Sequence, residues 1–246
     1  MKIQAIIAAG GLGTRLATIR PKPLVMLNGK PLFVYSLEVF EKSSLIDSII
    51  VVTHEYHVMD FEDIIRQYGL RKVERIVIGG RTRCESVYNG LQAVDEKTEV
   101  VVIHDGARPL LKPQTLYEAV MQGKTHEAVV VAVPVKPTIK RINLQGMFVE
   151  ETLKREELWE VQTPQIFKRA VLWEAHARKT EACPATGGED PTDDAVLVER
   201  LGVKVKVVRG DYDNIKITTK EDLIVAEAFL KNKSKEGVTL SEGQTA

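Results

Sequence analysis

Cysteine is nearly missing from this chain: the two residues present, Cys84 and Cys183, lie far apart and form no C-x-x-C pair. Neither a disulfide framework nor a structural zinc site is indicated by so sparse a set. Net charge is missing too, since 34 basic side chains balance 34 acidic ones. Bulk attraction to nucleic acid or to an anionic membrane is therefore absent, and any phosphate-binding charge has to be local. No apolar run reaches membrane-spanning length and no signal-peptide pattern is evident, so a cytoplasmic location is expected, with neither membrane nor nucleic acid as a partner. Two common nucleotide signatures are also lacking. Gly13-Thr14 does not supply the Gly-Lys-Ser/Thr of a P-loop, and Leu16 stands where the dinucleotide fingerprint needs its third glycine.

What is present starts at the beginning of the chain. The β-branched run Ile3–Ala9 ends in Gly10-Gly11-Leu12-Gly13-Thr14-Arg15. That pattern is a buried strand delivering the chain into a tight loop. Without a Cβ, glycine backbone N–H groups approach an anion closely. On glycines alone a plain strand-to-helix turn is a competing reading. Arg15 and Lys22 tilt the balance, because they add two positive charges beside the cradle. Pro21 and Pro23 stiffen the segment presenting Lys22. The loop is expected to bind a nucleoside triphosphate.

Strand and helix patterns alternate along most of the 246 residues. Ile3–Ala8, Ser48–Thr53, Val73–Ile78, Val100–His104, Ala128–Val135 and Val203–Val208 read as strands. Pro31–Lys42, Val58–Tyr68, Arg81–Val94, Pro113–Gln122 and Lys220–Leu230 read as helices. The expected fold is α/β: a single Rossmann-like domain over 1–232, its mostly parallel twisted sheet flanked by helices. Ligands in such sheets sit at the carboxyl ends of the strands. Residues 233–246, rich in Lys, Ser, Glu and Gly, are expected to form a disordered tail. One segment breaks the alternation. Thr138–Ile142 and Met147–Thr152, joined by Asn143-Leu144-Gln145-Gly146, predict a protruding β-hairpin arm at about 136–156. A lone hairpin is marginal in stability and needs something to pack on, either the domain body or a second subunit.

Further polar clusters fall at predicted strand ends. Asp105, closing the strand of Val100–His104, suits holding Mg²⁺ or its waters, although a turn cap paired with Arg108 explains it equally. His104 is expected to orient that turn. Gly79-Gly80 leads into a helix N-terminus, where backbone N–H groups and Ser86 could read a base or ribose, although taken alone the segment is better read as a simple helix start. Gln162-Thr163-Pro164-Gln165 and Asp213 to Thr218 read as polar loops. Lys216 in an extended apolar run needs either an anionic ligand or an edge position. Thr192-Asp193-Asp194 reads as a helix start capped by Thr192.

In order along the chain, Ala8 to Arg15, Pro21-Lys22, Gly79-Gly80 with Arg83 and Ser86, His104-Asp105 with Arg108, Thr138, Arg155, Thr163-Pro164-Gln165, Thr192-Asp193-Asp194 and Asn214-Ile215-Lys216 form a set. That set resembles the 2-C-methyl-D-erythritol 4-phosphate cytidylyltransferases of the non-mevalonate isoprenoid pathway. The resemblance implies a reaction of CTP with a sugar-alcohol phosphate, Mg²⁺ or another divalent cation as cofactor, and a homodimer formed through the hairpin arm. It also implies roles. Arg15, Lys22 and Lys216 would be catalytic. Ala8, Ala9, Gly10, Gly11, Gly13, Gly80, Ser86, Asp105 and Gly106 would bind the nucleotide. Asp105, Arg108, Thr138, Arg155 and Thr163 would bind the acceptor, with Asp105 at the metal directly or through water. Pro23 after Lys22, Lys136-Pro137 before Thr138, and Arg81 after the glycine pair depart from the common family pattern. A ribitol 5-phosphate or other polyol-phosphate nucleotidyltransferase is the alternative within the class. An NAD(P)-dependent reductase and a non-catalytic binding module are alternatives outside it.

Overall fold

The structure is a computed structural model that describes residues 1–11, 21–182 and 191–241. Its elements follow in chain order. β1 (Lys2–Ala8) precedes the short pair β2 (Met26–Leu27) and β3 (Lys30–Pro31). Then come α1 (Leu32–Lys42), β4 (Ser48–Thr53), α2 (Val58–Gln67), β5 (Val73–Ile78), α3 (Arg83–Gln92), β6 (Thr98–Asp105), α4 (Pro113–Thr125) and β7 (Ala128–Pro134). The second half holds β8 (Lys140–Asn143), β9 (Phe148–Thr152), β10 (Trp159–Lys168), α5 (Arg169–Ala182), α6 (Ala195–Glu199), β11 (Val205–Arg209) and α7 (Lys220–Ser241).

Seven strands form one sheet in the order β11-β7-β10-β6-β1-β4-β5. Every pairing is parallel except those of β10, which runs antiparallel to both β6 and β7. Parallel strands covered on both faces read as unbroken apolar runs, and β4 is buried at all six positions. Phe33 and Phe40 of α1, Phe61 of α2 and Leu116 of α4 pack on one face. Val87 and Leu91 of α3, Leu172 of α5 and Leu197 of α6 pack on the other. Among the described residues no helix is long and apolar enough to cross a membrane.

The strands expected from the sequence are present, and the mostly parallel, helix-flanked sheet matches the expected fold. Two differences matter for the site. Gln162 to Gln165 is not a loop: it lies within β10, between the two halves of the sheet. Pro164 has no N–H to donate and argues against a central strand. The chain accommodates it where the pairing with β7 shifts register, between Gln162 and Gln165. The closing helix also runs past Leu230 to Ser241, into the stretch expected to fray. The hairpin of β8 and β9 forms a separate two-stranded sheet, its turn held by Asn143 Oδ1 accepting from the N–H groups of Gln145 and Gly146.

Candidate active site

The carboxyl ends of β1, β4, β5 and β6 finish side by side, and their loops are tied together by backbone hydrogen bonds. Ala9 N–H donates to Val52 O (2.7 Å), Gly79 N–H to Thr53 O (2.8 Å) and Gly106 N–H to Ala8 O (2.9 Å). Ala9 and Gly106, expected at the nucleotide, therefore turn their N–H groups to these ties and do not line the cavity that opens above them. That cavity, of about 390 Å³, is lined by Ala8, Gly10 and Gly11, by Lys22, by Gly80 with Arg83 and Ser86, and by Asp105 and Lys216. The glycine pair at its base end is required by space. A Cβ on Gly79 would come within 2.8 Å of Ser86 Oγ. Ser86 Oγ donates to Thr82 O (2.8 Å) and accepts from Gly80 N–H (3.1 Å), fixing the turn. His54, following β4, lines the same cavity and carried no signal in the sequence. Arg15 and Gly13 lie outside the described residues, as does Cys183.

Asp105 is the hub. Lys216 Nζ stands 2.8 Å from its Oδ2, Arg83 Nε 3.0 Å from its Oδ1, and Arg108 Nε 3.8 Å away. Burial alone would push this carboxyl up, but Arg83, Lys216 and Arg108 together hold it well below the usual carboxylate range. Arg108 is largely engaged elsewhere, donating through Nη1 to Asn214 O (2.7 Å). Asn214 in turn donates to Gln162 Oε1 (3.2 Å) and Thr163 O (2.9 Å), so the loop carrying Lys216 is anchored on β10. Thr163 Oγ1 accepts from Asp105 N–H (3.1 Å) and lies 2.9 Å from His104 Nδ1. His104 Nε2 faces Arg108 O at 3.2 Å, and a carbonyl only accepts, so Nε2 carries the proton. Burial pushes the imidazole down to about 4, leaving Nδ1 free to accept from Thr163. His104 thus orients the turn, as expected.

A second cavity, of about 350 Å³, lies beside the first and shares Arg83, Asp105 and Lys216 with it. Arg108, Thr163, Thr192 and Asp193 also line it. The structure therefore brings together Lys22, Lys216, Asp105, Arg108, Thr163 and the glycine loops. Thr138 and Arg155 stand apart on the arm, both exposed, with Arg155 Nη1 donating to Lys136 O (3.3 Å). The reading of Thr192 as a cap is corrected: Asp194 is the N-cap residue of α6, and Asp193 Oδ1 accepts from Val196 N–H (3.1 Å). Sequence reasoning assigned Arg83 no role of its own. A usable signal existed in Thr82-Arg83-Cys84-Glu85, a capping-box pattern that starts α3 at Arg83. Thr82 Oγ1 accepts from Glu85 N–H (3.2 Å) there. Among the described residues no group of three or more His, Cys, Asp or Glu side chains is arranged to hold a metal ion.

The sequence model of the family described as IspD, 2-C-methyl-D-erythritol 4-phosphate cytidylyltransferase, matches residues 3–232. A 2-C-methyl-D-erythritol 4-phosphate cytidylyltransferase from Alkaliphilus metalliredigens is 44% identical over 239 residues, covering 96% of this chain and 95% of that protein. One from Caldanaerobacter subterraneus is 43% identical, covering 94% of this chain and all (100%) of its own length. The crystal structure of 4-diphosphocytidyl-2C-methyl-D-erythritol synthase from Anaerococcus prevotii superposes with a TM-score of 0.81 at 33% identity. That superposition covers 94% of this chain and 96% of the other.

Proposed function

This chain belongs to the 2-C-methyl-D-erythritol 4-phosphate cytidylyltransferase family, and from that membership we infer that it joins CTP and 2-C-methyl-D-erythritol 4-phosphate. The products are 4-diphosphocytidyl-2-C-methyl-D-erythritol and pyrophosphate. The reaction serves isoprenoid precursor synthesis by the non-mevalonate route. The observation that supports this reading in the site itself is the seam of Asp105, Lys216 and Arg83 between two adjoining cavities. One cavity has the glycine loops and helix start suited to a nucleotide. The other has the hydroxyl and guanidinium lining suited to a polyol phosphate.

The chemistry is an in-line displacement. An oxygen of the acceptor phosphate forms a bond to the α-phosphorus of CTP as the α–β anhydride P–O bond breaks, and pyrophosphate leaves. A phosphate monoester is already anionic at neutral pH, so no Ser, Cys or His nucleophile is needed. Catalysis reduces to alignment and neutralisation of phosphoryl charge. Lys22, with Arg15, contacts the triphosphate. Lys216, held by Asp105, steadies the α-phosphate at the seam. Ser86 and the Gly80 backbone read the cytosine, while Arg108 and Thr163 hold the acceptor.

A divalent cation fits as a partner of the triphosphate rather than as a resident ion. Asp105 is the carboxylate shared by both cavities, and its oxygens retain lone pairs beyond those facing Arg83 and Lys216. Mg²⁺ commonly keeps its waters and uses one or two carboxylates plus substrate phosphates. Bound there, it would offset charge on the phosphoryl oxygens.

The arm supports a homodimer. Leu144, Met147 and Phe148 at its tip are 81%, 73% and 75% exposed, which leaves an apolar surface on a marginal hairpin. Contact with a second copy would bring Thr138 and Arg155 to the partner's acceptor cavity.

Pyrophosphate release, measured with Mg²⁺ and each of the four nucleoside triphosphates, tests the reading with 2-C-methyl-D-erythritol 4-phosphate beside ribitol 5-phosphate. Release with CTP and methylerythritol phosphate is expected. Release with ribitol phosphate alone would move the acceptor, and silence from every pair in folded protein would sink the assignment. EDTA is expected to abolish turnover.

A further inference from the structure

Behind the seam runs a line of buried charge. Arg83 uses Nε on Asp105 and Nη1 on Asp194, the second contact at 2.6 Å. Asp194, 1% exposed at the start of α6, presents its other oxygen to His176 Nε2 of α5 at 3.6 Å. Two contacts to this imidazole come from α3: Cys84 Sγ lies 3.9 Å from Nδ1, and the Tyr88 ring stacks at 5.6 Å. Among the described residues, the groups facing His176 include one carboxylate, one thiol and one phenol ring. Burial opposes a proton on His176, but the Asp194 carboxylate, with Cys84 beside it, outweighs burial and raises the imidazole to about 9.

Such a line is a poor device for stability. Taking an ion pair out of water is costly for each ion, and well-packed apolar replacements are often as stable. Its geometric effect is definite, however. A guanidinium held through Nε alone can swing about that bond, whereas one held through Nε and Nη1 by two fixed carboxylates has its plane set. The far carboxylate is fixed in turn by His176.

We propose that His176 is a positioning residue that acts through Asp194 to fix the Arg83 guanidinium on Asp105, and so sets where Lys216 stands between the two cavities. This rests on the cytidylyltransferase reading for its kinetic consequence. Misalignment at the seam slows the chemical step more than it weakens nucleotide binding, because the contacts to CTP from the glycine loops remain.

His176→Gln keeps a side-chain donor of similar reach without the charge. It is expected to lower kcat about tenfold or more while KM for CTP changes by less than about threefold, with a lower melting temperature at neutral pH but a folded protein at the assay temperature. In a double-mutant cycle with Arg83→Lys the losses are expected to be less than additive, because both act on one contact chain. The Arg83 Nε–H resonance, assigned by its disappearance in Arg83→Lys, is expected to shift in His176→Gln. Unchanged kcat in the folded variant, fully additive losses, or an unmoved Arg83 resonance would each overturn the proposal. Should His176→Gln fail to fold, the wild-type ring decides: both nitrogens protonated at neutral pH is expected, and a neutral ring removes the anchor. A resonance shift in His176→Gln together with no turnover in wild-type protein would remove the reaction and leave the contact chain standing.

Discussion

Lys22 sits between Pro21 and Pro23, in a single 3-10 turn whose residues are buried. Two fixed φ angles leave its backbone few alternatives, so the ammonium meets the cavity at little ordering cost. Lys22→Ala is expected to fold normally and lose about 100-fold in kcat, on the scale of removing one preorganised donor from a developing anion. Near-normal turnover in steady-state assays would remove Lys22 from the catalytic set. The cations around Asp105 differ in kind. Lys216, at 2.8 Å, is 39% exposed by side chain and open to both cavities. Arg108, at 3.8 Å, is nearly enclosed, and its guanidinium holds the Asn214 loop in place. The same charge type thus stands open to both cavities in one case, and in the other lines one cavity while also anchoring a loop.

At the scale of elements, the arm and β10 contrast. Both are antiparallel excursions from a parallel sheet. β10 is buried from Gln162 to Phe167, while β9 is exposed at all five positions. An isolated pair of strands is marginal unless its apolar side is covered. On the homodimer proposed above, Phe148→Glu is expected to shift the protein from dimer to monomer in sedimentation velocity and to raise KM for the acceptor, with KM for CTP unchanged. A monomeric wild-type protein, or an unchanged sedimentation coefficient in the variant, would overturn the dimer through the arm. The sequence made the arm visible because a four-residue turn joins two short extended runs. It hid β10 because Gln162, Thr163, Pro164 and Gln165 together look like punctuation. Their polar side chains are buried, and they serve as anchors: Gln162 for Asn214, Thr163 for Asp105, and Gln165 for Asp193 at 2.8 Å.

For the molecule as a whole, the legible parts are those whose cause is local. Strands buried on both faces show as continuous apolar runs, and the turn at the end of β1 shows as glycines. The contact chain from Asp105 to His176 is not local: Arg83 and Asp194 are 111 residues apart, and no periodicity brings them together. Its effect is global, however, through linked protonation. His104 is pushed down to about 4 from an ordinary 6.5, so the unfolded chain takes up a proton first as pH falls below 6.5. Stability is lost from there down to about pH 4. His176 is raised to about 9, so its contribution is complete below 6.5 and disappears as pH rises through 9. Each limb has a slope of about 1.4 kcal/mol per pH unit at most. Melting temperatures are expected to peak near pH 6.5, with His176→Gln losing the alkaline decline. Equal alkaline slopes in both proteins would contradict this.

The reversed strand also bears on how the chain is made. Once residues up to 105 have left the ribosome, β6, β1, β4 and β5 can pair into a four-stranded parallel sheet. In that nascent state β6 is a raw edge, carrying the apolar run Val100–Ile103 with one row of backbone groups unpaired. β7 emerges next but cannot close that edge, because its place is one strand farther out. Only β10, completed at Lys168, fills the gap, and Lys216 arrives after that. Translation therefore holds a sticky intermediate for the synthesis of some sixty residues, and the half-made protein can acquire the strand ends of its first cavity before it has the lysine at its seam. A pause or truncation within that interval yields an aggregation-prone fragment rather than a partly active enzyme.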